Sequence, residues 1–137
     1  MFLTGVGYSQ SKQDVEEYYP MIAFAFGKSL NRSESVKTVA DLVKKENWDS
    51  LKALMGSSNP AVKYLSIKVC TFASRKGKII LDVEDLSRIE AAKQSDEKIT
   101  YGRGCQILKN YVLRDLFQNP RLEVNEEIND WIKEIEK

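Results

Sequence analysis

At 137 residues, with 42% hydrophobic and 30% charged residues and a net charge of +1, the chain has the length and composition of one ordinary globular domain, 1–137. Its longest apolar run, Met21–Phe26, falls far short of the roughly 20 residues that span a bilayer. It holds no histidine, which removes Ser–His and Cys–His nucleophile pairs, the commonest general base and every zinc site that needs an imidazole.

The opening residues MFLTGVGYSQSK have no positive n-region and too short an apolar run for a secretory signal. A cytoplasmic protein is therefore expected, although a mature secreted chain or a domain cut from a longer one fits the same residues. Ser11-Lys-Gln-Asp14 has the form of a capping box and predicts a helix with Val15, Tyr18, Ile22 and Phe26 on one face, ended or kinked at Pro20. Gly27 to Arg32 reads as a loop. Ser33 or Ser35 then caps a helix whose inner positions are Val36, Val39, Ala40 and Val43.

The best-punctuated stretch is Asn47 to Gly77. Asn47 caps a short helix with Trp48, Leu51, Leu54 and Met55 at helical spacing, closed by Gly56. In Ser57-Ser58-Asn59-Pro60 the asparagine can accept from free helix N–H groups, and a proline at the first helical position forfeits an N–H that has no partner anyway. The longer helix that follows carries Val62, Leu65, Val69, Phe72 and Ala73 as a stripe, widened by Ile67 and Cys70, and stops at Gly77. Beyond it, Lys78 to Leu81 reads as an extended link, and Asp82-Val-Glu-Asp85 as a helix start with acids at the positive end of the macrodipole. That helix, with Val83, Leu86, Ile89 and Ala92, fades at Gln94 to Asp96. A polar loop ending in Tyr101 to Gly104 is expected next, then a helix aligning Cys105, Leu108, Val112 and Leu116 until Asn119-Pro120 breaks it. A last helix runs from Asn125 with Ile128, Trp131, Ile132 and Ile135 inward.

The short helix with leucines, the Ser-Asn-Pro turn and the longer helix opening Ala61-Val62-x-Tyr64-Leu65-x-Ile67 resemble a HEAT-type repeat, the antiparallel helix pair of many α-solenoids. Hairpin starts near Gln13, Asn47 and Asp82 repeat at 34 and 35 residues. The tetratricopeptide repeat shares that period, but its pattern is absent after Trp48, where Leu51-Lys52 and Met55 stand instead. The resemblance implies an all-α fold of antiparallel hairpins stacked as a short right-handed superhelix, about seven helices in all, closed by a capping helix. An irregular helical bundle is the alternative.

Charge is unevenly spread: residues 1–27 sum to −2, residues 28–78 to +7 and residues 79–137 to −4. The basic centre points to a non-catalytic module that binds an acidic protein partner, with Lys44, Lys45, Lys52, Lys63, Lys68 and Arg75 as candidate contacts. Nucleic acid binding through 28–78 is the alternative, weakened by the near-neutral total. The bland reading of these lysines is a set of solvated helix faces, some paired with acids from the C-terminal part.

No catalytic residue, cofactor or metal ligand is expected. Cys105 follows Gly-Arg-Gly near a predicted helix start, where its thiol pKa would fall, but with no base available and a place on an apolar stripe it reads as a core thiol. Cys70 reads the same way, and both are expected to be reduced. Gly5-Val-Gly7 lacks the third glycine of a dinucleotide fingerprint, and Ser9 to Lys12 matches Ser-x-x-Lys without companion motifs. Glu126, Glu127 and Asp130 have the spacing of an exposed acidic first turn. A membrane partner is not expected.

Overall fold

A computed structural model describes residues 20–26, 32–104 and 107–136. Among these residues the chain forms β1 (Met21–Phe26), α1 (Glu34–Lys44), α2 (Trp48–Leu54), α3 (Pro60–Arg75), α4 (Val83–Lys93), β2 (Lys98–Gly104), β3 (Ile107–Val112), α5 (Leu113–Gln118) and α6 (Glu123–Ile135). The three strands make one mixed sheet in the order β1-β2-β3. β1 runs parallel to β2, with Ile22 opposite Tyr101, and β2 pairs antiparallel with β3, with Thr100 opposite Asn110.

The sheet overturns the all-α expectation, and with it the stacked HEAT-like superhelix: the architecture is α/β, with six helices and three strands among the described residues. Three segments carry the correction. Met21–Phe26 is a strand rather than the second half of a kinked helix. Its six-residue apolar run suits a strand covered on both faces, and Met21, Ile22 and Ala23 are all buried. Lys98–Gly104 is a strand rather than a polar loop, with Ile99 and Tyr101 alternating into the core. Ile107–Val112 is a strand where Cys105, Leu108, Val112 and Leu116 had matched a helical period; only Leu113–Gln118 is helical, and Leu108 points outward. The predicted helix start at Ser11–Asp14, Val15, Tyr18, the residue pairs Gly5-Val-Gly7 and Ser9–Lys12, loop residues 27–31 and Cys105 lie outside the described residues.

Local chemistry explains why the helices begin and end where they do. The Asn59 side chain accepts from the N–H groups of Ala61 (2.9 Å) and Val62 (3.3 Å), with Pro60 at the first turn. At the other end of α3, Gly77 takes a positive φ of 78°, so that its N–H reaches Ser74 O and the Lys78 N–H reaches Ala73 O. This is the paired closure that a left-handed residue permits. The two hydroxyls expected to cap α1 do something else. Ser33 Oγ accepts from the Ala23 N–H at 3.1 Å and Ser35 Oγ donates to Met21 O, so the start of α1 is tied sideways to β1.

α3 is the central element, touching α1, α2, α4, α6 and β2. Its residues Tyr64, Leu65, Ile67, Val69 and Cys70 join Ile22, Ile99 and Tyr101 from the sheet and Ile128 and Ile132 from α6 in one apolar core. Tyr64 lies edge-on to Phe117 with ring centroids 4.9 Å apart, and its hydroxyl donates to Asn125 Oδ1. Asn125 is 1% exposed, and its amide donates to Leu116 O (2.9 Å) and Asn119 O (2.8 Å), joining α3, α5 and α6 through one buried side chain. Removing it deletes three hydrogen bonds, leaving the Tyr64 hydroxyl and Leu116 O only their 3.3 Å contact with each other and Asn119 O only the Leu122 N–H, and each lost bond costs about 0.5–1.5 kcal/mol. Asn125→Ala should therefore lose about 2–3 kcal/mol in urea unfolding, seen as a lower midpoint at unchanged slope; a loss under about 0.5 kcal/mol would contradict this role for the network.

Candidate functional site

Several openings of about 310 to 480 Å³ are lined by described residues, and two of those take in candidate contact residues. One, of about 330 Å³, lies where α3, α4 and α6 meet. Ile67, Phe72, Leu81, Ile89, Phe117 and Ile132 make it apolar, while Lys68 and Arg75 on α3 and Glu90 and Lys93 on α4 bring charge to it. The other, of about 480 Å³, is lined by Val43, Lys44, Glu46, Trp48, Lys78 and residues at the end of α6. The larger hollow is the less suggestive one. Glu136, whose side chain is 3% exposed, holds Lys78 at 3.2 Å through one carboxylate oxygen while its other oxygen is buried without a hydrogen-bond partner among the described residues, and the lining has fewer apolar side chains than the smaller groove.

An exposed apolar strip adjoins the smaller groove. Ile80 and Val83 are each 83% exposed and Leu86 51%. Val83, Leu86, Glu90 and Lys93 stand at i, i+3, i+7 and i+10 of α4, which is one helix face. Leu86, Glu90 and Lys93 line the groove, so the strip and the groove are continuous. Large apolar residues standing singly on a surface need no explanation; a run joined to an apolar cleft is the arrangement that marks contact surfaces.

What holds that strip in place is a buried ion pair. Asp82 and Asp85 form a reciprocal capping box at the start of α4, each side chain accepting from the other residue's backbone N–H at 2.9 Å. Lys52 reaches across from α2 to Asp85 at 3.1 Å and donates to Ile80 O at 2.7 Å, and Arg88 lies 3.4 Å from the other Asp85 oxygen. Burial alone would raise the Asp85 pKa, but the Asp82 backbone N–H and the Lys52 ammonium outweigh it and hold the carboxyl below the usual aspartate range. The hydrogen bond to Asp85 likewise holds the Lys52 pKa above its ordinary value, against a smaller opposing effect of burial.

The six candidate lysines and arginine do not form one patch. Lys52 is consumed by Asp85, and Lys63, 17% exposed, by Glu97 at 2.6 Å. Lys45 is exposed and pairs with Asp41 one helical turn back, at 3.0 Å. Lys44 lines the larger hollow. Lys68 and Arg75 come together at the smaller groove. Burial, and secondarily the Arg75 charge, pushes the Lys68 pKa below its ordinary value, and its Nζ lies 5.9 Å from the Tyr64 ring centroid.

Cys70 is buried and reduced, and burial pushes its thiol up to about 12, which suits a core residue and not a nucleophile. No group of three or more acidic, cysteine or histidine side chains is arranged to hold a metal among the described residues. No helix among them is long and apolar enough to cross a membrane. The sequence alone does not reveal the groove, because Leu86 and Ile132 fall on separate expected inner stripes and Phe117 on none. The one available signal was that Val83 and Leu86 share a helix face with Glu90 and Lys93.

Comparison of the chain with models of protein families, with curated proteins and with solved structures gave no match.

A carboxylate whose pKa is depressed by folding contributes stability that is complete above its unfolded value, near 3.9 for aspartate, and is lost as pH falls through the lower folded value. Asp85 is such a group. Wild type should be more stable than Asp85→Asn at pH 6, with the gap closing progressively as pH drops below about 4. Urea melts across that range are the measurement, and a gap independent of pH would show that the Asp85 charge does not anchor α4.

Proposed function

We propose that this domain is a non-catalytic protein-binding module that engages its partner through α4 and the groove between α3, α4 and α6. The single observation carrying this reading is that Val83 and Leu86, exposed at 83% and 51% on one face of α4, run into an apolar groove of about 330 Å³ that Leu86 itself lines. Placing these side chains in water leaves apolar area exposed at about 25 cal/mol per Å², a cost that docking would recover. The contact also has the mixed character of protein interfaces, an apolar centre with charged residues around it.

The electrostatics favour a protein over a nucleic acid. Two of the lysines that make residues 28–78 basic, Lys52 and Lys63, are held by carboxylates inside the fold, so the positive charge available to phosphates is smaller than the sequence total suggests. A cytoplasmic location belongs to the same reading, and the free, buried Cys70 thiol suits it.

The test is site-specific photo-crosslinking in the native host, with benzoylphenylalanine placed at Val83 or, as a control away from the groove, at the exposed Thr38 of α1. A discrete adduct from Val83, absent from the control and abolished by adding Leu86→Asp, is the expected result. Equal adducts from both positions, or an adduct from Val83 that survives Leu86→Asp, would contradict docking through this face.

A further inference from the structure

Lys68, Thr71 and Arg75 stand at i, i+3 and i+7 of α3, on one face, and all three line the groove. They differ from the other charged residues of the site in what they lack. Lys93 has Glu90 at 3.1 Å, and Lys52 and Lys63 have their carboxylates. Lys68 and Arg75 have no carboxylate partner among the described residues, although each bears on the other and Lys68 is partly withdrawn from water. Two cations lining one groove beside an apolar floor without a counter-ion repel each other, and a bound anion relieves that repulsion.

We infer that the groove recognises a carboxylate carried next to a bulky apolar group. The apolar group lies on Phe72, Ile89, Phe117 and Ile132, and the carboxylate bridges Lys68 and Arg75 with the Thr71 hydroxyl between them. The inference rests on the docking reading above and adds to it the chemistry of the partner: an amphipathic segment in which Asp or Glu flanks Leu, Ile, Phe or Met. Arginine and lysine divide the work by their chemistry. The Arg75 fork fixes the orientation of a planar carboxylate, and the Lys68 ammonium supplies a point charge from a less solvated position, where an ion pair is stronger than on an open surface. Glu90, held by Lys93 on the α4 side, sets the polarity: the acid of the partner must lie toward α3, because on the α4 side it would meet a like charge.

The experiment is selection of a phage-displayed library of random short peptides on the wild-type domain, with counter-selection on Leu86→Asp, followed by titration of the enriched peptides against Lys68→Met and Arg75→Gln. Methionine keeps the length and apolar stem of Lys68, and Arg75 is exposed, so at least the second variant retains the fold, as circular dichroism and urea midpoints would check. Enriched peptides should share an acidic residue beside a large apolar one, bind about tenfold more weakly to each variant, and lose affinity as salt is raised. Peptides enriched without an acidic residue, and indifferent to both variants, would overturn the carboxylate inference while leaving docking at the groove intact. No enrichment that depends on Leu86 would overturn the inference and the docking reading together. A wild-type dimer that Leu86→Asp dissolves, with no peptide preference for acids, would also overturn it and assign the face to a second copy of this chain.

Discussion

The parallel pairing of β1 with β2 is the constraint on which the rest of the architecture depends. Parallel neighbours cannot be joined by a tight turn, so the chain must leave the end of β1 and return to the start of β2 by a long crossover. Here that crossover contains α1, α2, α3 and α4. Pro20 O accepts from the Thr100 N–H at 2.8 Å at the start of the pairing, and Ser33 and Ser35 pin the outgoing helix to Met21 and Ala23. With both ends fixed, α3 is held against the sheet through Ile22, Ile99 and Tyr101 and is flanked by α1, α2, α4 and α6. The groove is the place where this packing is incomplete. α3 turns Lys68, Thr71 and Arg75 toward a space that α4 and α6 border but do not fill.

Polar ties then decide which charges are structural and which are left over. Asn125 joins three helices around the Tyr64 hydroxyl, and Tyr101 donates to Glu127, so both buried phenols are satisfied. Burial raises both of their pKa values, which keeps them neutral and able to donate. Lys52 and Asp85 fix the link between α3 and α4, and Lys63 and Glu97 fix α3 against the segment entering β2. A paired, partly buried charge is costly to break but adds little to a surface field. In the proposed docking reading, recognition falls to the smaller set at the groove, where the positive sign of the α3 side would give a partner its polarity.

Local punctuation was legible in the residues, and long-range pairing was not. Asn47, Asn59-Pro60, the Asp82–Asp85 box and Gly77 set helix ends by chemistry confined to a few neighbouring residues, so α2, α3 and α4 could be read directly. The strands depend on partners far away in the chain. Met21–Phe26 as an isolated apolar run fits a helix face as well as a buried strand. Gly102 and Gly104 made Lys98–Gly104 look like a loop, since glycine weakens strands unless a neighbour approaches closely. Of the hairpin starts that suggest a solenoid, Asn47 and Asp82 lie within one crossover and not within a stack of repeats, and Gln13 lies outside the described residues. The site was legible to the extent that Lys68 and Arg75 lay in the basic centre. That they alone of the six share a groove, while Lys52 and Lys63 turn inward to Asp85 and Glu97, depends on helix packing that no local pattern encodes.

The central claim is that one face, bordered by α3 and α4, recognises apolar groups accompanied by a carboxylate. It is tested most directly by titrating the isotope-labelled protein with a short amphipathic peptide bearing leucines flanked by glutamates and following backbone amide shifts by NMR. The account predicts shifts concentrated at Lys68, Thr71, Phe72, Arg75, Leu86 and Ile89, weaker when lysine replaces glutamate in the peptide. Shifts centred on Lys44, Trp48 and Lys78, or equal responses to the two peptides, would contradict it.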